Sequence, residues 1–362
     1  MSNFDLSNLA LKAVCPNNEI LFDDKGRPSI MVYIPKKTYA ELGLGTSQAI
    51  HPAFIVNGQE VDGIYISKYQ NIVMDGRAYS LPGEDPRTSI TLDAAISACS
   101  AKGAGWHLMT RAEWAMVALL CKVMGTQPKG NNNYGRDTSE SSYAALPSMA
   151  RDDQGRIQRV ATGTGPLAWS HDGTPSGIWD LNGNVNEWVG GLRTVYGEVQ
   201  ILANNNAADG SKSQGATSAQ WMAIKASDGT LITPDGSGTT TGSVKLRWDT
   251  NYWKLTDSNT SDGTTTYQGC AFESIVADSS IGTNATLLLQ ALGLLKYDSN
   301  AGAYNGDYFY ANSYEAERAF LCGGYWHYGA GAGVFFLDGS SSRSNSGGSL
   351  GFRSAYCVLP TA

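Results

Sequence analysis

SGIWDLNGNVNEW, residues 176–188, brings two tryptophans, an Asn-Gly pair and a carboxylate into one short run. Asn182, Gly183 and Asn184 suit a tight turn needing positive φ, which these residue types adopt at little cost. Trp179 and Trp188 each carry a large apolar area and an N–H that needs a partner once buried. The run therefore reads as a framework corner, a turn held between aromatic anchors. Arg353, beside Phe352 near the far end of the chain, is expected to anchor the last strand through a bidentate bond to a carboxylate, with Glu187 as the candidate partner.

Two helices are expected before residue 280. Over 91–101, Leu92, Ala95, Ile96 and Cys99 fall at i, i+3, i+4 and i+7, with Asp93 in the first turn and Gly103 and Gly105 beyond the end. Over 111–123, Thr110 is a good N-cap and Glu113 completes a capping box, with Trp114, Val117, Ala118 and Cys121 on the buried face. Ala285–Leu295 reads as a third, short apolar helix. Ile30–Pro35, Gly63–Tyr69 and Val244–Trp248 read as strands. Residues 125–148 read as a long polar loop. From about 195 the composition turns to Gly, Thr, Ser, Asn and Asp with sparse apolar strands, which is expected to be a β-rich insertion at 195–315. Residues 1–28 read as an N-terminal extension to one large domain at 29–362.

Charged residues make up only 16% of the chain, and 42 glycines help to fill the gap, as suits a loop-rich protein. The net charge of −7 leaves no basic stripe to displace counterions from phosphate, so nucleic acid is an unsuitable partner. No apolar run approaches the roughly 18 residues a spanning helix needs, so no membrane insertion is expected. Residues 1–12 are polar and of mixed charge, without the apolar core of a secretory signal. Synthesis in the cytoplasm follows as an expectation, with association with a virion as one route out of the cell. The six cysteines, Cys15, Cys99, Cys121, Cys270, Cys322 and Cys357, form no CxxC, and most are expected to be free buried thiols.

Several short motifs, in order, resemble one family. They are MVYIPKKTY (31–39), GIYISKY (63–69), WHLMTRAEW (106–114), the 176–188 run, RAFLCGGYW (318–326) and LGFR (350–353). The set resembles the formylglycine-generating-enzyme branch of the C-type-lectin-like fold, over roughly 29–362. The resemblance implies an α+β, loop-rich fold with the insertion breaking into it. It also raises a metal-dependent oxidase of that type as an alternative function. The enzymes of that branch carry a copper-bound cysteine pair in the segment that corresponds here to 327–343, which contains no cysteine. His51, His107, His171 and His327 show no ligand spacing such as i, i+4. With those groups lost, the chain is expected not to be an enzyme.

The segment 325–349, YWHYGAGAGVFFLDGSSSRSNSGGS, also resembles the variable region of proteins diversified by retroelements, which use this lectin-like fold. In that family the adenines of template Asn codons are randomised, so product codons end in C or T and cannot encode Lys, Glu, Gln, Met or Trp. The resemblance implies twelve variable, ligand-binding positions: Tyr325, His327, Tyr328, Gly331, Phe336, Asp338, Ser340, Ser341, Asn345, Gly347, Gly348 and Ser349. All twelve obey the restriction. Trp326 breaks it, at a position that reads as scaffold, as do Ala332, Val334, Phe335 and Leu337. The family pattern departs near Gly339 and Ser342, and a plain Gly/Ser-rich loop would also lack long charged side chains. Tyr and His offer amphipathic area at low entropy cost, while Ser, Gly and Asn adapt their hydrogen bonds, as in antibody paratopes.

The function expected is recognition of a protein or glycan on a target surface by a diversified binding protein, such as a phage receptor-binding or tail component. A structural virion protein without a dedicated ligand is a further alternative, and oligomerisation is open. No cofactor is expected, although Asp172 and Asn131–Asn133 could offer hard oxygen ligands to calcium.

Overall fold

The structure, a computed structural model, describes residues 3–143, 145–260, 263 and 265–361. The helix Arg111–Met124 starts on the expected capping box. Glu113 N–H donates to Thr110 Oγ1 at 3.2 Å, Thr110 N–H donates to Glu113 Oε2 at 2.9 Å, and Gly125 closes the far end at φ 68°. Thr110 Oγ1 also donates to the buried Asn205 Oδ1 at 2.7 Å. Thr110→Ala is therefore expected to cost about 1–2 kcal/mol, read as a lower urea midpoint, with Thr110→Ser restoring most of it. The helix Leu92–Ser100 is capped by Thr91 Oγ1, which accepts from Ala94 N–H at 3.2 Å without a reciprocal side-chain bond.

Two sheets carry the fold. The first orders its strands Asn18–Phe22, Pro28–Pro35, Gly63–Ser67, Ser354–Tyr356 and Trp106–Leu108. Its opening hairpin pairs Glu19 with Met31 and Ile20 with Ile30, so the expected boundary between 28 and 29 falls inside the hairpin. The second sheet centres on Asn186–Val195, Arg318–Gly323 and Gly333–Ser341. Residues of the 195–315 stretch extend it on both sides. Glu198–Leu202 pairs with Asn186–Val195, and Tyr308–Ala311 pairs in parallel with Gly333–Ser341. Lys245–Asp249 lies where a strand was expected. The result is an α+β, loop-rich architecture, as expected.

The two sheets meet at Arg353, which sits between strands Leu350–Phe352 and Ser354–Tyr356. Its guanidinium donates to both carboxylate oxygens of Glu187, Nε at 2.6 Å and Nη2 at 2.5 Å, and also to the carbonyls of Ser67 and Trp179. Both side chains are fully buried, so their protons and lone pairs must find partners within the protein. Gln70 Nε2 adds a 2.9 Å bond to Glu187. Trp188 Nε1 donates to Ile90 O at 2.9 Å. In the adjoining turn Asp180, Gly183 and Asn184 have positive φ, and a Cβ on Gly183 would lie 2.1 Å from Asn131 O. Glycine is required there by close approach as well as by conformation.

Three expectations need correction. An additional helix, Asn3–Val14, precedes residue 280. Its apolar residues Leu6, Leu9 and Val14 stay exposed, so no buried stripe marked it. The helix expected at 285–295 runs from Thr283 to Ala291. It stops because Gly293 takes φ 60°, and because Arg111 draws off the Leu292 and Gly293 carbonyls at 2.8 Å each. Leu294 and Leu295 then enter the core as irregular chain. The third correction concerns site residues and follows below. All six cysteines are free and buried.

Candidate ligand-binding surface

The strand Gly333–Ser341 presents two different faces because successive side chains alternate. Phe335 and Leu337 enter the main core. Phe336, Asp338 and Ser340 belong to the opposite face. The parallel neighbour places Tyr310 directly beside Asp338, and Tyr308 follows at the same parity. Past Arg318–Gly323 the chain turns through Tyr325–Tyr328, closed by Tyr328 N–H on Tyr325 O at 3.0 Å. Gly324 makes that turn possible: its φ is 77°, and a Cβ would lie 2.6 Å from Ala332 Cβ. The 125–148 loop pins the turn, with Tyr134 N–H donating to Trp326 O at 2.7 Å and Gly329 N–H donating to Asn132 O at 2.9 Å.

These elements converge on an open pocket of about 370 Å³ lined by Tyr267, Tyr310, Tyr325, His327, Tyr328, Asp338 and Ser340. Its rings form a continuous network. Tyr325 meets Tyr328 edge-on at 4.6 Å and His327 at 4.5 Å, and its hydroxyl lies 3.2 Å from His327 Nε2. Tyr328 lies 4.8 Å from Phe336 and 6.0 Å from Tyr310, and Tyr310 lies 6.2 Å from Tyr267. On the outer side His327 stacks on Tyr134 at 6.0 Å, and Arg156 lies 4.2 Å above the Tyr134 ring.

Electrostatics in the pocket follow from burial. Asp338 is only 8% exposed, and burial lifts its carboxyl above the usual carboxylate value against the opposing pull of the Ser340 hydroxyl and of the Ser340 N–H at 2.9 Å. Burial, reinforced by Asp338, holds the Tyr328 phenol far above its ordinary value. The imidazole of His327 is pushed below its ordinary value by burial and by the charge of Arg156.

Of the twelve expected positions, Tyr325, His327, Tyr328, Asp338 and Ser340 line this pocket, and Gly331 lies on the adjoining turn beside Tyr308. Phe336, expected to be a ligand-binding position, is corrected to a buried one: it is 0% exposed, does not line the pocket, and lies against the rings of Tyr310 and Tyr328. Ser341 is buried with opposite parity, and its Oγ accepts from Asn345 Nδ2 at 3.1 Å. Asn345, Gly347, Gly348 and Ser349 sit on a separate loop held against other elements. Ser89 N–H donates to Gly347 O, Arg159 Nη1 to Gly348 O, and Asn186 N–H to Ser349 O. Trp326, Ala332, Val334, Phe335 and Leu337 are buried, as scaffold residues should be.

Sequence reasoning missed Tyr134, Tyr267, Tyr308 and Tyr310. The alternation of YFY at 308–310 was the available signal, since it places two tyrosines on one strand face. Of the residues considered for calcium, Asn131, Asn132 and Asp172 each have a side-chain oxygen engaged within the protein. Asn131 Oδ1 accepts from Gly135 N–H, Asn132 Oδ1 from Thr138, and Asp172 Oδ1 from Thr174. Among the described residues no group of three or more His, Cys, Asp or Glu side chains could hold a metal ion, and none of the six thiols lines the pocket. Also among the described residues, no helix is long and apolar enough to cross a membrane.

No family model matches the chain, and no curated protein matches it. Solved structures similar to it include Treponema denticola variable protein 1, at 12% identity and a TM-score of 0.33, covering 94% of this chain and 99% of that one. PvdO from Pseudomonas aeruginosa is similar at 12% identity and a TM-score of 0.35, covering 94% and 98%. The Major Tropism Determinant U1 variant is similar at 10% identity and a TM-score of 0.30, covering 94% and 71%.

Proposed function

We propose that this chain is a retroelement-diversified recognition protein on a C-type-lectin-like scaffold, and that it binds a protein or glycan on a target surface without catalysing a reaction. One observation carries the reading. Five residues obeying the codon restriction line a single open pocket, and the strand that bears two of them is held from behind by the main core. Such a division lets exposed side chains change at little folding cost, because loops and outward positions carry little of the packing. Phage receptor-binding or tail-tip service, and residence on a virion, belong to the same proposal, as does a binding mode that needs no cofactor. The amphipathic tyrosines act as anchors, with Tyr325 and Tyr328 central.

The test is a binding screen of the full chain against bacterial surface extracts, repeated with Tyr325→Ala and Tyr328→Ala. Each variant is expected to lose about tenfold or more in affinity for the ligand found, while unfolding at the wild-type temperature within a few degrees. Equal binding by all three proteins would remove the recognition role and leave a structural one.

A further inference from the structure

The pocket described above has an uncompensated charge at its base. Asp338 projects from the middle of the sheet, between Leu321 on the antiparallel neighbour and Tyr310 on the parallel one. Among the described residues it accepts hydrogen bonds from Ser340 alone, from the hydroxyl and from the backbone N–H, neither of which carries a full charge. No lysine or arginine lines the pocket among the described residues. Arg156, the cation whose charge reaches His327, lies over the ring of Tyr134 and pairs with Asp152. A buried carboxylate without a counter-ion is costly unless a partner arrives or the group takes up a proton.

The rings around it are mutually inclined. Tyr325 and Tyr328 stand at 89°, Tyr310 and Tyr328 at 48°, and Tyr267 and Tyr310 at 55°. Such rings cannot all stack on one flat guest, but they can turn faces or edges toward a shared centre from several sides. Tyrosine faces attract a cation within about 6 Å of the ring centroid. A wall of tyrosines over a carboxylate is therefore complementary to a positive, partly apolar group. A neutral sugar would satisfy hydrogen bonds there but would leave the charge uncompensated.

Resting on the recognition role proposed above, we infer that this pocket takes an organic cation, namely an ammonium or guanidinium head, which pairs with Asp338 inside the tyrosine wall. Tyr267 and Tyr310 lie outside the 325–349 segment, so half of the wall is fixed while the opposite half and its charge are exchangeable. Cation specificity is thus a property of this particular sequence, installed by the residue at 338. Binding should weaken with acidification, because protonating Asp338 removes the attraction. The phenols of Tyr310, Tyr325 and Tyr328 are all pushed upward by burial and stay neutral through this range. Protonation of His327 at low pH would add repulsion in the same direction.

Calorimetric titration of the full chain tests the inference with four probes. They are Nα-acetyl-arginine amide, Nα-acetyl-lysine amide, tetramethylammonium and the neutral isostere Nα-acetyl-citrulline amide. Binding of at least one cation is expected, about tenfold or more tighter than citrulline, weakening from pH 7 to pH 5. Preference for arginine or lysine would identify a protein side chain as the natural source, and preference for tetramethylammonium a quaternary amine. Asp338→Asn should weaken the cation about tenfold or more. Tyr325→Ser, which removes one wall ring and no charge, should weaken it several-fold and guards against a folding defect in the first variant. The inference is overturned if no cation binds, if citrulline binds as tightly as arginine, or if Asp338→Asn leaves cation affinity unchanged. Should that occur while Tyr325→Ala and Tyr328→Ala still abolish capture of a surface ligand, only the cation preference falls and the recognition role stands.

Discussion

Glu187→Ala is expected to cost about 3–5 kcal/mol of folding stability, because it leaves the fully buried Arg353 guanidinium without its carboxylate. Domains of this kind are stable by only about 5–15 kcal/mol, so the variant should be marginal or insoluble. The pair ties the strand after Leu350 to the centre of the second sheet, while Arg353 also holds the Ser67 and Trp179 carbonyls of other elements. One break therefore loosens several connections at once. The double variant Glu187→Leu with Arg353→Met should be less damaged than the sum of the single changes, since it leaves no orphaned charge. Guanidinium denaturation of the wild type, Glu187→Ala, Glu187→Leu, Arg353→Met and the double variant measures this. Strict additivity, or a loss below about 1 kcal/mol for Glu187→Ala, would mean that the pair is not an energetic centre of the fold.

Trp114→Ala should have an effect of similar size, about 3–5 kcal/mol, through a different physical route. Its ring is 1% exposed, its Nε1 donates to Val334 O at 2.8 Å, and its edge lies 3.3 Å from where a Cβ on Gly323 would stand. Truncation leaves a cavity and an unpartnered carbonyl at the start of the strand that carries Phe336, Asp338 and Ser340. Ligand affinity should therefore fall together with stability, although Trp114 does not line the pocket. Trp114→Phe separates the contributions: it keeps most of the volume, loses the hydrogen bond, and should cost roughly 1–3 kcal/mol. Unchanged unfolding of Trp114→Ala would show that the strand is held by its neighbours alone.

Much of the framework was legible because its causes are local. Thr110 and Glu113 form a capping box by spacing alone, and the positive φ of Gly183 and Asn184 follows from residue type. The Glu187–Arg353 pair could be anticipated because a buried arginine needs a carboxylate. The binding pocket was only half legible. Its codon-restricted wall lies in one contiguous segment, whereas Tyr134, Tyr267 and Tyr310 come from distant parts of the chain, and the alternation at 308–310 marks a strand face without saying what that face meets. The burial of Phe336 was hidden for a related reason. Phe335, Phe336 and Leu337 are consecutive and apolar, so the period-2 signal that separates core face from outer face is absent there, and only the cover of Tyr310 and Tyr328 decides it. The helix Asn3–Val14 escaped notice because its apolar residues do not form a buried stripe.

The central claim is that a fixed framework carries an exchangeable recognition face. Sequencing sister copies of this gene tests it most directly. Differences should concentrate at Tyr325, His327, Tyr328, Gly331, Phe336, Asp338, Ser340, Ser341, Asn345, Gly347, Gly348 and Ser349, in codons ending in C or T, while Trp114, Glu187, Tyr310 and Arg353 stay constant. Differences spread evenly along the 362 residues would contradict it.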